Sequence, residues 1–262
     1  VQLIAPVYGG INLEDISAPR CFEVEARLRE LLDIPVFHDD QHGTAIVVLA
    51  ALRNALKLVK KDLKSVKIVL SGVGAAGNAI ARLLTLDGAT NIIGFNHHGV
   101  IHNDMKSDDS MQQWFISNSN PTNFTGTISE AMVGADIFIG VSAPNVLTEA
   151  DVASMAKGSI VFALANPDPE IDPVIARKYA TVVATGRSDQ PNQINNVLAF
   201  PGIFRGLLDA NAHKISDKML LAAAKAISEC VSPEQLNTSF IVPSVFDPNV
   251  VKAVAAAVKK SV

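Results

Sequence analysis

Cysteine is nearly missing, with Cys21 and Cys230 the only two in 262 residues. They lie far apart, each inside a stretch with helical patterning, which excludes a disulfide framework and makes a reducing compartment the expectation. Positive charge is not in excess either. Lysine and arginine total 22 against 26 aspartates and glutamates, a net charge of −4, and no basic face stands out, so nucleic acid is not an expected partner. Apolar runs are strand-length and broken by charge or glycine, none reading as the ~20 residues of a membrane span. No charged-then-apolar signal segment opens the chain, so a membrane is not an expected partner and the expected location is the cytoplasm. Internal repeats and low-complexity tracts are lacking too. What remains is enough chain for one large or two modest domains with a sizeable core.

One stretch organises the rest. From Val66 to Ile80 an apolar run breaks into Gly72-Val73-Gly74-Ala75-Ala76-Gly77 and continues as a small-residue helix pattern through Ile80, Leu83 and Leu84. Strand, tight turn and helix follow in that order, with the glycines at G-x-G-x-x-G spacing. Each glycine does something physical there, since Gly72 permits the turn, Gly74 lets the backbone approach a pyrophosphate, and Gly77 lets helix and strand pack closely. The helix, opening at Ala75 and Ala76, turns its N–H groups and positive dipole end toward the phosphates. The plainer reading, a tight turn with no ligand, is weaker because a β-branched strand precedes the glycines and an apolar helix follows.

Strand-like runs alternate with helical ones beyond this point: Val66–Leu70, Ile92–Phe95, Ile137–Val141, Ile160–Ala165 and Thr181–Ala184. Such alternation predicts an α/β fold, a doubly wound parallel sheet of the Rossmann type, with ligands at the carboxyl ends of the strands. A front segment, 1–61, carries a helix pattern with Phe22, Val24, Leu28, Leu31 and Leu32 on one face, an extended piece at Pro35–Phe37, and a long apolar helix from Ala45 to about Val59. The tail is helical over Ala199–Asn211, Ser216–Val231 and Pro248–Lys260, and 118–127 reads as an exposed loop. The expected organisation is thus a helical front segment, 1–61, and a nucleotide-binding domain with C-terminal helices, 62–262.

Three polar groups fall where the pattern puts loops after strands: Glu14-Asp15, Asp39-Asp40, and the asparagines Asn166 and Asn195-Asn196. Carboxylates there are costly to desolvate and are usually paired or bound to a cation. Oxygen-only ligands suit Mg²⁺ or Mn²⁺ better than zinc. Taken singly, Asp15 or Asp40 reads as a helix cap; taken together beside a nucleotide motif, they read as a metal site. His38, His42, His97 and His98 lack zinc-ligand spacing with any cysteine and are assigned no catalytic role.

Gly-Gly-Ile-Asn-Leu-Glu-Asp-Ile (9–16) and Phe-His-Asp-Asp-Gln-His-Gly-Thr-Ala (37–45) resemble malic enzyme of the compact bacterial type. Gly72–Gly77, Leu164-Ala-Asn-Pro-Asp-Pro-Glu170, Thr185–Asn196 and Phe200-Pro-Gly202 extend the resemblance over nearly the whole chain. It implies oxidative decarboxylation of L-malate to pyruvate and carbon dioxide, with NAD or NADP and Mg²⁺ or Mn²⁺. Carried over, the metal ligands are Glu14, Asp15 and Asp40, with Asp39 beside them as a supporting group in catalysis. Malate-contacting residues are Asn166 and Asn196, and cofactor contacts are Thr44, Gly72, Gly74, Ala75, Ala76, Gly77 and Asn96. The expected assembly is a homodimer or higher homo-oligomer.

Two departures from the family pattern matter. An acidic residue often follows the second strand, to hold the adenosine ribose, where this chain has Asn96, His97 and His98; the reading leans to NAD, with NADP a competitor. The family's tyrosine and lysine, its acid and base, lie in an N-terminal substrate domain expected to precede Val1 and missing from this chain. A malolactic-type enzyme and an amino-acid dehydrogenase relative remain alternatives, as does a non-catalytic dinucleotide-binding regulatory module. The Glu14, Asp15, Asp40 set argues against the last two.

Overall fold

The computed structural model describes all residues, 1–262. A 3-10 turn at Ala5–Val7 leads to β1 (Ile11–Leu13), α1 (Arg20–Leu31) and β2 (Val36–His38), and β1 and β2 pair in parallel with Leu13 opposite His38. A π-helical turn, Asp39–Gly43, runs directly into α2 (Thr44–Val59). Then come β3 (Ile68–Ser71), α3 (Ala75–Leu86), β4 (Ile92–Asn96), β5 (Gly99–Val100), α4 (Ser110–Asn118), α5 (Ile128–Met132), β6 (Ile137–Gly140), α6 (Glu149–Ala153), β7 (Ile160–Ala163), α7 (Pro173–Ala176) and β8 (Val182–Thr185). The tail is α8 (Phe200–Asp209), α9 (Asp217–Glu229) and α10 (Pro248–Lys260).

The main sheet has the order β5-β4-β3-β6-β7-β8, parallel throughout except for β5. All five strands expected from the sequence are present within two residues of their expected ends. The return strand β5 is an addition, made possible by a turn in which Gly99 takes φ +119° and the Asn96 Oδ1 accepts the His98 N–H. Alternation of side chains sets two cores. Ile68, Leu70, Ile137, Ile139, Ile160 and Phe162 face α2, α3 and the tail helices, whereas Val69, Phe138, Val161 and Val183 face the short helices α5 to α7. The first core unites 48 buried residues and the second 15, so the thick side of the molecule is the one that carries α2. Residues on both sides of Lys61 share that larger core.

Two expectations from sequence are corrected here. The Asp39–Val59 helical stretch, 21 residues, is long and apolar enough to cross a bilayer by length and composition, although no run was expected to reach that size; 67% of its most apolar window is buried against the sheet, as befits a core helix. In α1, Leu31 is 50% exposed while Glu25 is buried with Cys21. The helix turns an acid inward because the polar side chains of the π-turn wait there.

Candidate active site

The strand order reverses between β3 and β6, and the crevice outside their carboxyl ends is where a doubly wound sheet receives its ligand. The glycine turn forms its floor. Gly72 takes φ +94°, and a Cβ there would come within 2.6 Å of the Val141 carbonyl oxygen. A Cβ on Gly77 would collide with the Gly72 carbonyl, while one on Gly74 would meet nothing within 4 Å. Two of the glycines are therefore required by the fold itself, and the third faces open space beside the first residues of α3, Ala75 and Ala76. Asn78, unremarked in the sequence, closes the turn by donating from Nδ2 to the Val73 and Gly74 carbonyls, both at 3.1 Å. On the β4 side Asn96 borders the crevice with His97 and His98, whose ring centroids lie 3.7 Å apart with the planes tilted by 44°.

The front segment closes the other side. Asp15 adopts φ +57°, and its main-chain N–H donates to Asp40 Oδ2 at 2.9 Å. The π-turn that opens α2 presents Asp39 and Asp40 to the crevice; its Gly43 is required because a Cβ would run into Asp39 Oδ1. Thr44 Oγ1 donates to Asn196 Oδ1 at 3.2 Å, and Asn196 Nδ2 donates to Asp39 Oδ2 at 3.1 Å. These groups line a cavity of about 520 Å³ together with Glu14, Ala76, Ser142 and Asn166. Glu14, Asp39, Asp40, Thr44, Asn166 and Asn196, separated by up to 182 positions, are thus brought to one cavity, whereas the Asp15 side chain lies outside the lining and contributes its main chain.

The cavity is anionic. Its ionisable groups are Glu14, Asp39 and Asp40. Asp39 is 5% exposed, and its Oδ1 is buried with no hydrogen-bond partner. Burial pushes its carboxyl up, the Asn196 amide opposes this, and the charges of Glu14 and Asp40 push it further up. An oxygen-only donor set with an unmet buried carboxylate oxygen fits a hard divalent cation. Glu14, Asp15 and Asp40 do not converge on one point as a ready-made ligand cluster.

The family model described as "Malic enzyme, NAD binding domain" matches residues 41–262. The chain belongs to the malic enzyme family. Among malic enzymes, it is 58% identical over 258 residues to the NAD-dependent malic enzyme of Geobacillus stearothermophilus, covering 98% of this chain and 54% of that one. Its identity to the bifunctional malic/malolactic enzyme of Bacillus subtilis is 49% over 269 residues, covering 100% of this chain and 64% of the relative. The crystal structure of an NAD-dependent malic enzyme from Thermotoga maritima superposes with a TM-score of 0.94 at 45% identity, over 100% of this chain and 69% of that one. The chain therefore spans little more than half the length of the first of these curated relatives.

Behind the π-turn, reading the sequence missed a support. Glu25 Oε2 accepts from Gln41 Nε2 at 2.9 Å, and its Oε1 meets His42 Nε2 and Arg29 Nη2, each at 2.7 Å. Burial raises the Glu25 carboxyl, but His42, Arg29 and His38 outweigh it and the net shift is downward. The signal was present: Cys21, Glu25, Leu28 and Leu32 recur at helical spacing with one acid among apolar residues. His38 is fully buried with both ring nitrogens unpartnered, and burial lowers its pKa.

Proposed function

We propose that this chain is the cofactor- and metal-binding part of an enzyme that oxidatively decarboxylates L-malate to pyruvate and carbon dioxide, using NAD in preference to NADP and Mg²⁺ or Mn²⁺. The observation that carries the reading is the cavity in which Glu14, Asp39 and Asp40 face Asn166 and Asn196 at the mouth of the glycine turn. Glu14 and Asp40, with Asp15 beside them, would hold the cation, and segment 1–61 is the piece that brings these carboxylates to the nucleotide domain. Bound there, the cation supplies positive charge for the C2 oxygen and the nicotinamide supplies the hydride acceptor. Asn166 and Asn196 bind the malate carboxylates as neutral donors that do not compete for the metal. Asn196 is pre-set for this by Thr44 and Asp39.

The preference for NAD rests on the NAD-dependent relative at 58% identity, against which stand NADP-dependent malic enzymes at 42–45% identity and Asn96, His97 and His98, a site with no acid to repel a 2′-phosphate. The similarity to a bifunctional malic/malolactic enzyme favours one second reading, conversion of malate to lactate. Product analysis on the full-length protein separates the two. Pyruvate, carbon dioxide and reduced cofactor in equal amounts are expected; lactate without net cofactor reduction would replace the first reading by the second.

A further inference from the structure

The loops after β6 and β7 meet on a side chain that the chemistry above does not use. Glu170 is 0% exposed beneath the crevice. Its Oε1 accepts the Ser142 N–H at 2.9 Å and the Ser142 hydroxyl at 3.3 Å, and its Oε2 accepts the Ala165 N–H at 3.1 Å. Ser142 Oγ in turn lies 2.8 Å from Oγ of Ser71, the last residue of β3. One carboxylate thereby ties together the ends of β3, β6 and β7. The strand β6 ends on Gly140, where a Cβ would collide with the Glu170 carboxyl group, so the fold makes room for this acid.

Packing alone does not account for it. Burying a carboxylate whose partners are main-chain N–H groups and one hydroxyl is costly, and burial pushes the Glu170 carboxyl up. An apolar side chain would fill the same volume but leave the Ser142 and Ala165 N–H groups without acceptors. What a carboxylate adds is two accepting oxygens on one rigid group, which fix the directions of two N–H bonds in neighbouring loops. Those loops border the crevice: Ser142 lines both the cavity with Asn166 and Asn196 and the one with Asn96, and Ala165 and Asn166 line the former. A dinucleotide crossing a doubly wound sheet lays one half over the first strands and the other over the strands beyond the reversal, here β6 and β7.

We propose that Glu170 is a positioning residue for the nicotinamide half of the cofactor, holding the Ser142 and Ala165 main chain, and with it Asn166, as a rigid floor under that half. The inference rests on the dinucleotide reading given above. Its test compares NADH with ADP, which lacks the nicotinamide half, in fluorescence and calorimetric titrations of the 262-residue chain. In Glu170→Gln the amide oxygen serves one loop, while the NH₂ is set against the N–H of the other. NADH affinity is expected to fall about tenfold and ADP affinity to stay within about twofold, at a temperature where circular dichroism shows the variant folded. Ser142→Ala, which removes only the hydroxyl, should lower NADH affinity by about two- to threefold with ADP unchanged, and decides the matter if Glu170→Gln does not fold. Equal weakening of NADH and ADP would make Glu170 a structural acid and overturn the proposal, as would unchanged NADH binding. A parent chain that binds neither would overturn the dinucleotide reading and this inference with it.

Discussion

Asp39 and Asp40 are neighbours in sequence with different roles, because the π-turn buries one and leaves the other at the wall. Asp40 is bound by the Asp15 N–H and its side chain is 36% exposed, so Asp40→Ala removes an anionic donor without opening the core. Calorimetric titration should show Mn²⁺ affinity falling by more than about a hundredfold, with dinucleotide affinity nearly intact; equal Mn²⁺ affinity would refute the metal assignment. The glycines separate in the same way. Gly74→Val places its branch in the open crevice and should weaken dinucleotide binding at least about tenfold with little change in melting temperature. Gly77→Ala drives a methyl into the Gly72 carbonyl and should cost about 2–3 kcal/mol of stability instead. Unchanged dinucleotide titrations in Gly74→Val would reduce the glycine turn to a structural element. Glu25 gives a pH signature. Its native carboxyl is held below the ordinary range, so the stability it contributes is complete above the unfolded value and is lost as pH falls through the native one. Urea midpoints should decline on acidification in the parent, and the decline should be shallower in Glu25→Gln, which is already weaker at neutral pH.

At the scale of elements, α2 joins the site to the tail. Asn54 is fully buried; its Nδ2 donates to the Ser228 and Ile241 carbonyls, both at 2.9 Å, and its Oδ1 accepts from Lys57 Nζ at 3.0 Å. Asn54→Leu would leave the buried Ile241 carbonyl unmet and the Ser228 carbonyl with only main-chain donors of its own turn, and should cost about 1–3 kcal/mol, lowering the melting temperature by a few degrees while dinucleotide binding in the cold persists. A melting temperature within error of the parent would show that water replaces the amide. Elements of this kind were legible from sequence to the extent that local physics decided them. The five parallel strands announce themselves as short apolar runs because both their faces are buried, and the glycine turn does so because only glycine tolerates its backbone. Short helices α5 and α6 carry a Thr127-x-x-Glu130 box and a Thr148-x-x-Asp151 box, which are readable but too brief to outweigh the surrounding loops. The face of α1 was misread because a buried Glu25 defeats apolar periodicity. What no local pattern reveals is convergence: Thr44 meets Asn196 across 152 positions and Asp39 meets it across 157. Grouping those residues before folding required the family resemblance, and Glu170, at the end of the Leu164–Glu170 motif, had no local signal for what it holds.

The whole molecule has a cavity built to bind and poorly furnished to move protons. Hydride leaves C2 of malate only as the C2 hydroxyl loses its proton, and C3 must later gain one, so turnover needs a positioned base and acid. No tyrosine, lysine, histidine or cysteine lines the cavity. Tyr8 is 53% exposed, in the turn ahead of β1, and Tyr179 is 47% exposed with its hydroxyl on Glu149 Oε1 at 2.8 Å. Lysines that are well held, such as Lys61 on Asp136 at 2.6 Å, serve the opposite end of the sheet. This chain matches 54% of the length of the Geobacillus relative. The expected outcome is that residues 1–262 alone bind dinucleotide yet oxidise malate poorly or not at all, while retaining some decarboxylation of oxaloacetate, a keto acid already past the oxidation step whose breakdown asks less of a positioned base. Purified chain assayed for both reactions, with and without an added N-terminal domain from a relative, checks this directly. Full malate oxidation by the isolated chain would mean that Glu14, Asp39 or Asp40 serves as base and acid as well as metal donor, and Asp39, with its raised carboxyl and unpartnered Oδ1, would then be the first to replace.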